Sequence, residues 1–554
     1  MMKSLKVFGL MLLACFFSII AVAQAGKKLP NILWLSCEDI GPVLSCYGAK
    51  GVETPNINRL ASEGVLFSHA YSTVGVCAPS RSSIITGMYA VSIGTHNMRT
   101  GPHYAYKNPE DEKYETNNGV TDWRGRNVPQ YSPILPDGVM AFPEYLRAAG
   151  YYCTNNAKCD YQFNCPMTVW DDSSNKAHAK NKPSGAPFFA VHNFNVTHES
   201  QIWGKKDDPM LADTATVPIP AYYAGIPSVK NDVGRKYSNI MELDRQIGQL
   251  LDEYGKAGLL ENTIIFFWSD HGGPLLRQKR AVGESGLHVP LIIRFPDKKM
   301  AGTINNDLVS LMDLGPTVMA MAGIEIPEYM HGQDIFSKST QKRAYIFGSA
   351  DRFDESMDMS RSVLDGRYVY IKNYHPELPY LFRNEYREQI TMTRDLFKLS
   401  EEGRLEGDDA YIFRNYKALE ELYDLESDPD EVHNLALEPK QQQRMQQMRS
   451  ALSTWQRSVN DLGLINEYDL YQMMWPGGIQ PLTDMPVFIQ QNNKLKIDSP
   501  TKGASIAYQK NEEIGTAHWQ LYAQPLDVKS TDKVVARAVR IGYKTSAFSH
   551  WPLK

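Results

Sequence analysis

Two short apolar runs lie far apart in the chain, and each stops at carboxylates. Residues 31–37 end in Glu38-Asp39, and residues 264–268 end in Ser269-Asp270-His271. An unbroken apolar run of this length reads as a strand buried on both faces, the kind found in a parallel sheet covered by helices. Ligands of such sheets sit at the C-terminal ends of the strands, so Glu38, Asp39, Asp270 and His271 are expected to converge. Residues 151–154, 188–193 and 291–295 read as further strands, and 56–63 and 142–149 as helices. The clearest helix is 233–257, with Ile240, Leu243, Ile247, Leu250, Leu251 and Tyr254 on one face. The expected fold class is α/β, a large mixed sheet sandwiched by helices.

The length of 554 residues predicts two or three domains, and 43% hydrophobic residues suffice for a large core. A net charge of -5 leaves no basic footprint for nucleic acid. A polyanionic ligand would have to be held by a local cluster of cations. Residues 1–25 read as a secretory signal: Lys3 and Lys6, an apolar stretch, then Ala23-Gln24-Ala25 as a cleavage site. Export to the periplasm or the medium is expected, with a lipid anchor on Cys15 ranked second and no transmembrane segment after cleavage. The six cysteines beyond Cys15 are too sparse for a disulfide framework and lack zinc spacing, so most read as buried thiols.

From about residue 340 the texture changes. Shorter strand-like pieces appear, such as 367–372, then a polar-faced helix at 437–460. Residues 535–541 alternate partially with period two. The expected division is a catalytic α/β domain over 26–340, a smaller antiparallel α+β subdomain over 341–484, and a β-sandwich appendage over 485–554. Residues 100–137, rich in Asn, Gly, Pro and Tyr, read as a long functional loop.

The chemistry points to Cys77-Ala78-Pro79-Ser80-Arg81, followed by Thr86-Gly87. Apolar spacing after Ser80 predicts a helix with residue 77 at its N-terminus, where free N–H groups favour an anion.

These residues resemble the signature of the type I sulfatases, in the alkaline phosphatase superfamily. Asn31-Ile32-Leu33 with its acidic pair resembles that family's first metal strand. Thr54-Pro55-Asn56 to Ala61, Ser269-Asp270-His271-Gly272-Gly273, Lys279 with Val289-Pro290, and Leu422-Tyr423-Asp424-Leu425 with Asn434-Leu435-Ala436 resemble its later segments, in order. The resemblance runs from about 31 to 436. It implies the family's fold and sulfate ester hydrolysis. It also implies a separate maturation enzyme that oxidises Cys77 to formylglycine, whose hydrate attacks sulfur to form a sulfo-enzyme. Glu38, Asp39, Asp270, His271 and the modified residue 77 would bind one calcium ion. Arg81 would activate the nucleophile, Lys158 and Lys279 would bind sulfate, and His198 is the candidate acid.

Three departures stand out. The usual Asp-Asp is Glu38-Asp39, the usual Asn after the second Asp is His271, and the family's Lys-x-His is Lys158-Cys159-Asp160. Nitrogen is a poor calcium ligand, so His271 could mark another metal or lie outside the shell. Asp160 is expected to meet substrate hydroxyls, with His96 and Arg99 partly replacing the lost histidine and Arg352 and Glu355 as further substrate contacts. Asn155-Asn156-x-Lys158 and Phe347-Gly348-Ser349 look closest to the branch with heparan N-sulfatases and bacterial sulfatases of algal polysaccharides, ulvan among them. The expected substrate is a sulfated polysaccharide or its oligosaccharides. The alternatives are a phosphonate monoester or phosphodiester hydrolase of the same superfamily, and an inactive carbohydrate-binding homologue.

Overall fold

The computed structural model describes residues 29–102, 113–117, 119–339 and 341–552. The signal segment 1–25 and Cys15 lie outside the described residues. Its centre is a mixed sheet of nine strands: β1 (Asn31–Cys37), β2 (Val65–Tyr71), β3 (Tyr152–Asn156), β4 (Asp172–Ser174), β5 (Phe188–Phe194), β6 (Thr263–Ser269), β7 (His288–Arg294), β8 (Thr303–Asn305) and β9 (Val309–Ser310). Their order is β4-β3-β5-β1-β6-β7-β2-β8, with β9 also on β2. Only β7 runs against the rest, since it pairs antiparallel with both β6 and β2 while the other pairings are parallel.

β1 is central because its residues can be buried on both sides. Ile32 and Trp34 enter one hydrophobic cluster and Leu33 and Leu35 the other. Each such side chain contributes about 1.5–3 kcal/mol of burial. The helices that cover the sheet include α1 (Pro55–Glu63), α2 (Cys77–Thr86), α3 (Phe142–Ala148), α4 (Ser200–Gly204) and α5 (Pro227–Lys256). α5 starts earlier than its apolar pattern indicates, because Pro227 occupies the first turn, where its missing N–H is not needed. α5 also caps α1: the Asp244 carboxylate accepts from the backbone N–H groups of Asn56 and Ile57 at 3.2 and 2.8 Å.

Smaller antiparallel sheets follow. β10 (Ile346–Ala350), β11 (Ser360–Leu364), β12 (Tyr368–Asn373) and β13 (Glu420–Asp424) form a meander. The helix Gln442–Ser458 packs Met445, Met448, Leu452 and Trp455 against it. This sheet joins the large one through Ser349, whose N–H donates to the Thr73 carbonyl at 3.0 Å. Two further small sheets contain β14 (Val487–Gln491), β15 (Lys494–Asp498), β16 (Ser505–Lys510), β17 (Gln520–Leu521), β18 (Leu526–Asp527), β19 (Val534–Val539) and β20 (Ser549–Trp551). They share a core built on Leu495, Ile497, Ile506, Val534, Ala536 and Ala538. β19 is buried at every residue, not on alternate ones, since its second face also meets protein. The unit docks back on the large sheet's surround: Arg540 pairs with Asp137 at 2.6 Å, and Arg147 donates to the Trp519 carbonyl at 2.8 Å. Among the described residues, no helix is long and apolar enough to cross a membrane.

Candidate active site

Register brings the site together. Cys37 lies opposite Phe194 on β5 and Ser269 on β6, so three neighbouring strands end at one level. Glu38 and Asp39 leave β1 there, and Asp270 and His271 leave β6. Asn193 is the penultimate residue of β5, and Lys158 follows β3. α2 enters the same edge with Cys77 in its first turn, wholly buried. The Ser80 hydroxyl, which faces both the Asp270 carbonyl (2.5 Å) and Ser72 (2.9 Å), pins that helix.

Arg81 sits behind Cys77 as a bridge. Its Nε donates to Asp270 Oδ2 at 3.1 Å, Nη1 to Asn193 Oδ1 at 2.9 Å, and Nη2 to Glu38 Oε1. Burial opposes its charge, but Glu38 and Asp270 more than compensate and hold it protonated. The remaining oxygens turn inward. Glu38 Oε2 accepts from Lys158 Nζ at 2.8 Å, and both oxygens of Asp39 accept from Lys279 Nζ at 3.0 and 2.7 Å. Burial would raise the Glu38 carboxyl, yet Arg81 and Lys158 hold it at about 2. Asp39, against the same burial, is held well below the usual carboxylate range by Lys279 and His198.

His271 Nε2 lies 3.2 Å from Asp39 Oδ1 and 3.3 Å from Cys77 Sγ. Burial would lower this imidazole, but Asp270 and Asp39 raise it. Burial raises the Cys77 thiol, so residue 77 is not a ready thiolate. Ligand atoms of Asp39, Cys77, Asp270 and His271 lie within 4.8 Å of one another, as do those of Glu38, Asp39, Cys77 and His198. The three carboxylates of these groups, Glu38, Asp39 and Asp270, suit a hard divalent cation, beside the imidazoles of His271 and His198. The donor set therefore fits such an ion, with His271 inside the cluster.

His198 follows β5. The Ser200 backbone N–H donates to its Nδ1 at 3.2 Å, and its Nε2 lies 3.4 Å from Lys279 Nζ. Burial and then Lys279 lower its pKa, so the ring is neutral near pH 7. A cleft of about 1140 Å³ opens over this group, and Lys158, His198, Lys279 and Arg99 line it.

Three of the expected substrate contacts lie away from the cleft lining. Asp160 does not line the cleft. It is wholly buried behind the cations, 2.6 Å from Arg99 Nη1 and 3.1 Å from Lys158 Nζ, where it holds both in place. His96 and Arg352 are also buried away from the cleft, and Arg352 is locked in a two-pronged pair with Glu467 at 2.6 and 2.7 Å. Arg99 and Glu355 do line it.

The structure adds Glu199 and Arg280, both invisible as a pair in sequence. The Glu199 carboxylate joins Lys279 at 3.2 Å to Arg280 at 2.9 Å. Burial opposes its ionisation, but Arg280 and Lys279 hold it at about 2. The one available signal is position, since each adjoins an expected site residue. Backbone strain gathers here as well. Asp39, Arg99, Ala157, Asp160, Arg280 and Asp354 have positive φ, between 49° and 75°, an arrangement that non-glycine residues adopt mainly where surroundings enforce it.

A strand-end cluster of carboxylates around a buried helix N-terminus, faced by lysines, defines a hydrolase site for an oxyanion ester. The sulfatase family profile matches residues 30–324, and the chain belongs to that family of sulfuric ester hydrolases. It is 39% identical to an ulvan-active sulfatase of Formosa agariphila, over 93% of this chain and 90% of that protein. It is 23% identical to human N-sulphoglucosamine sulphohydrolase, over 81% of this chain and 94% of the other. The fold is also that of a solved 2-O GAG sulfatase, with a TM-score of 0.55 at 18% identity, covering 78% of this chain and 93% of that one.

Proposed function

We propose that this sulfatase removes sulfate esters from a sulfated polysaccharide or its oligosaccharides, with residue 77 oxidised to formylglycine as nucleophile. An ulvan-type polymer is the first substrate to assay, given the relative from Formosa agariphila. One observation carries the reading. Cys77, in the signature segment, lies at the N-terminus of a buried helix and within 3.3–3.9 Å of His271, Glu38 and Asp39.

Each side chain has a task. Lys158 and Lys279, anchored by buried carboxylates, aim fixed positive charge at the sulfate oxygens. Arg81 keeps Glu38 ionised and aligns it with Asp270 behind residue 77. His198, beside Lys279 on the cleft, is the candidate acid for the leaving oxygen. Glu38, Asp39, Asp270 and His271, with residue 77, would hold a calcium ion, which supplies charge neutralisation for gathered oxygens. The signal at 1–25 directs the chain to the periplasm or medium, and a maturation enzyme is the required partner. Residues 26–340 carry the catalysis, 341–484 support the cleft, and 485–554 form the appendage.

The test is mass spectrometry of the peptide holding residue 77, together with sulfate release from ulvan, glycosaminoglycan and carrageenan fragments. Formyl conversion with sulfate release is expected. Failure on every sulfated sugar, with strong phosphodiester or phosphonate turnover, would overturn the reading. An unmodified thiol with saccharide binding alone would favour the inactive homologue.

A further inference from the structure

The cleft is zoned by charge. Its cations all belong to the floor, and each is already matched to a carboxylate: Arg99 to Asp160, Lys158 to Glu38, Lys279 to Asp39 and Arg280 to Glu199. The outer wall comes from the smaller antiparallel region and carries Glu355, Asn384, Glu385, Tyr386 and Gln389. Among the described residues, this wall offers the cleft no lysine or arginine. Glu355 and Glu385 are exposed. Glu355 Oε1 accepts from Asn384 Nδ2 at 2.9 Å, which fixes the carboxylate in place. Tyr386 is 45% exposed, and its ring stands against Trp203 at 5.0 Å and 84°, so one aromatic surface is held rigid beside the acidic groups.

We infer that the cleft selects a sugar with a single sulfate on the floor and free hydroxyls at the outer wall, and that Glu355 and Glu385 discriminate against a second anion there. An ionised carboxylate only accepts hydrogen bonds, so it rewards hydroxyl donors and repels a second sulfate. The floor has no surplus cation to offset that repulsion. The inference rests on the sulfatase reading above and narrows its substrate class.

The experiment compares kcat/KM for sulfate release from sugar monosulfates and from the same sugars carrying a second sulfate on the adjacent carbon, at low ionic strength. The wild type should favour the monosulfates about tenfold. Salt should shrink that ratio, because both glutamates are exposed. Glu355→Gln/Glu385→Gln should bring the ratio to about one, and Glu355→Lys should reverse it. Both carboxylates are at the surface, so folding is not at stake. Equal turnover of both members by the wild type, or an unchanged ratio in the variants, overturns the zoning alone. Turnover of no sulfated sugar in the series by the wild type overturns the proposed saccharide substrate with it.

Discussion

Nε of Arg81 lies 3.1 Å from Oδ2 of Asp270, while its Nη2 holds Glu38, so a single guanidinium ties the ends of β1 and β6 together. Lysine cannot reproduce that fork. Arg81→Lys should lower kcat/KM by about 10²–10³ and cost about 3 kcal/mol of stability, because it leaves buried carboxylates short of partners. Steady-state kinetics with a thermal melt check both parts.

The donor set predicts chelator sensitivity. Activity should vanish with a calcium chelator and return with calcium. His271→Asn, which replaces nitrogen with an amide oxygen, should tighten calcium binding by about three- to tenfold and weaken binding of softer ions. Calorimetric titration of metal-stripped protein measures this directly. Unchanged affinity for both classes of ion would place His271 outside the coordination shell.

Asp160 should act through its neighbours. Asp160→Asn removes the charge that holds Arg99 and Lys158. KM should rise by about tenfold with a smaller fall in kcat, since sulfate binding depends on where those cations stand. A purely structural aspartate would lower the melting temperature and leave KM alone.

Lys236 offers a test of stability. Its ammonium is buried in α5, with the Gln278 side-chain oxygen at 3.1 Å, and burial lowers its pKa to about 8. The unfolded chain keeps the usual 10.5, so between pH 8 and 10.5 it binds more protons than the folded chain, and stability rises with pH there. Below pH 8 the full cost of burying the charge applies. Lys236→Met should therefore raise stability by about 2 kcal/mol at pH 7, with the advantage closing as pH passes from 8 to 10. Melting curves across that range measure it; a less stable variant at pH 7 would refute it.

Much of this site is legible in the sequence for a physical reason. A strand buried on both faces must be an unbroken apolar run, and whatever follows it stands at the sheet's C-terminal edge, so Glu38, Asp39, Asp270 and His271 could be placed without coordinates. β2 is less legible. Ser68 and His69 interrupt its apolar pattern where its register with β7 shifts, and half-buried side chains suffice there. Asp160 and Arg352 look like substrate contacts in sequence because charge alone does not reveal its partner. Arg99 and Glu467 supply those partners from distant segments. The Glu199–Arg280 pair is hidden for the same reason. The family resemblance supplied roles that composition and spacing could not.

Cys77 has no accessible surface, with strands β1 and β6 closed behind it by Arg81. On the formylglycine reading proposed above, a second protein would need this side chain before the fold closes around it. Conversion then becomes a question of timing: residue 77 would be processed while β6, encoded nearly two hundred residues later, is still unmade or undocked.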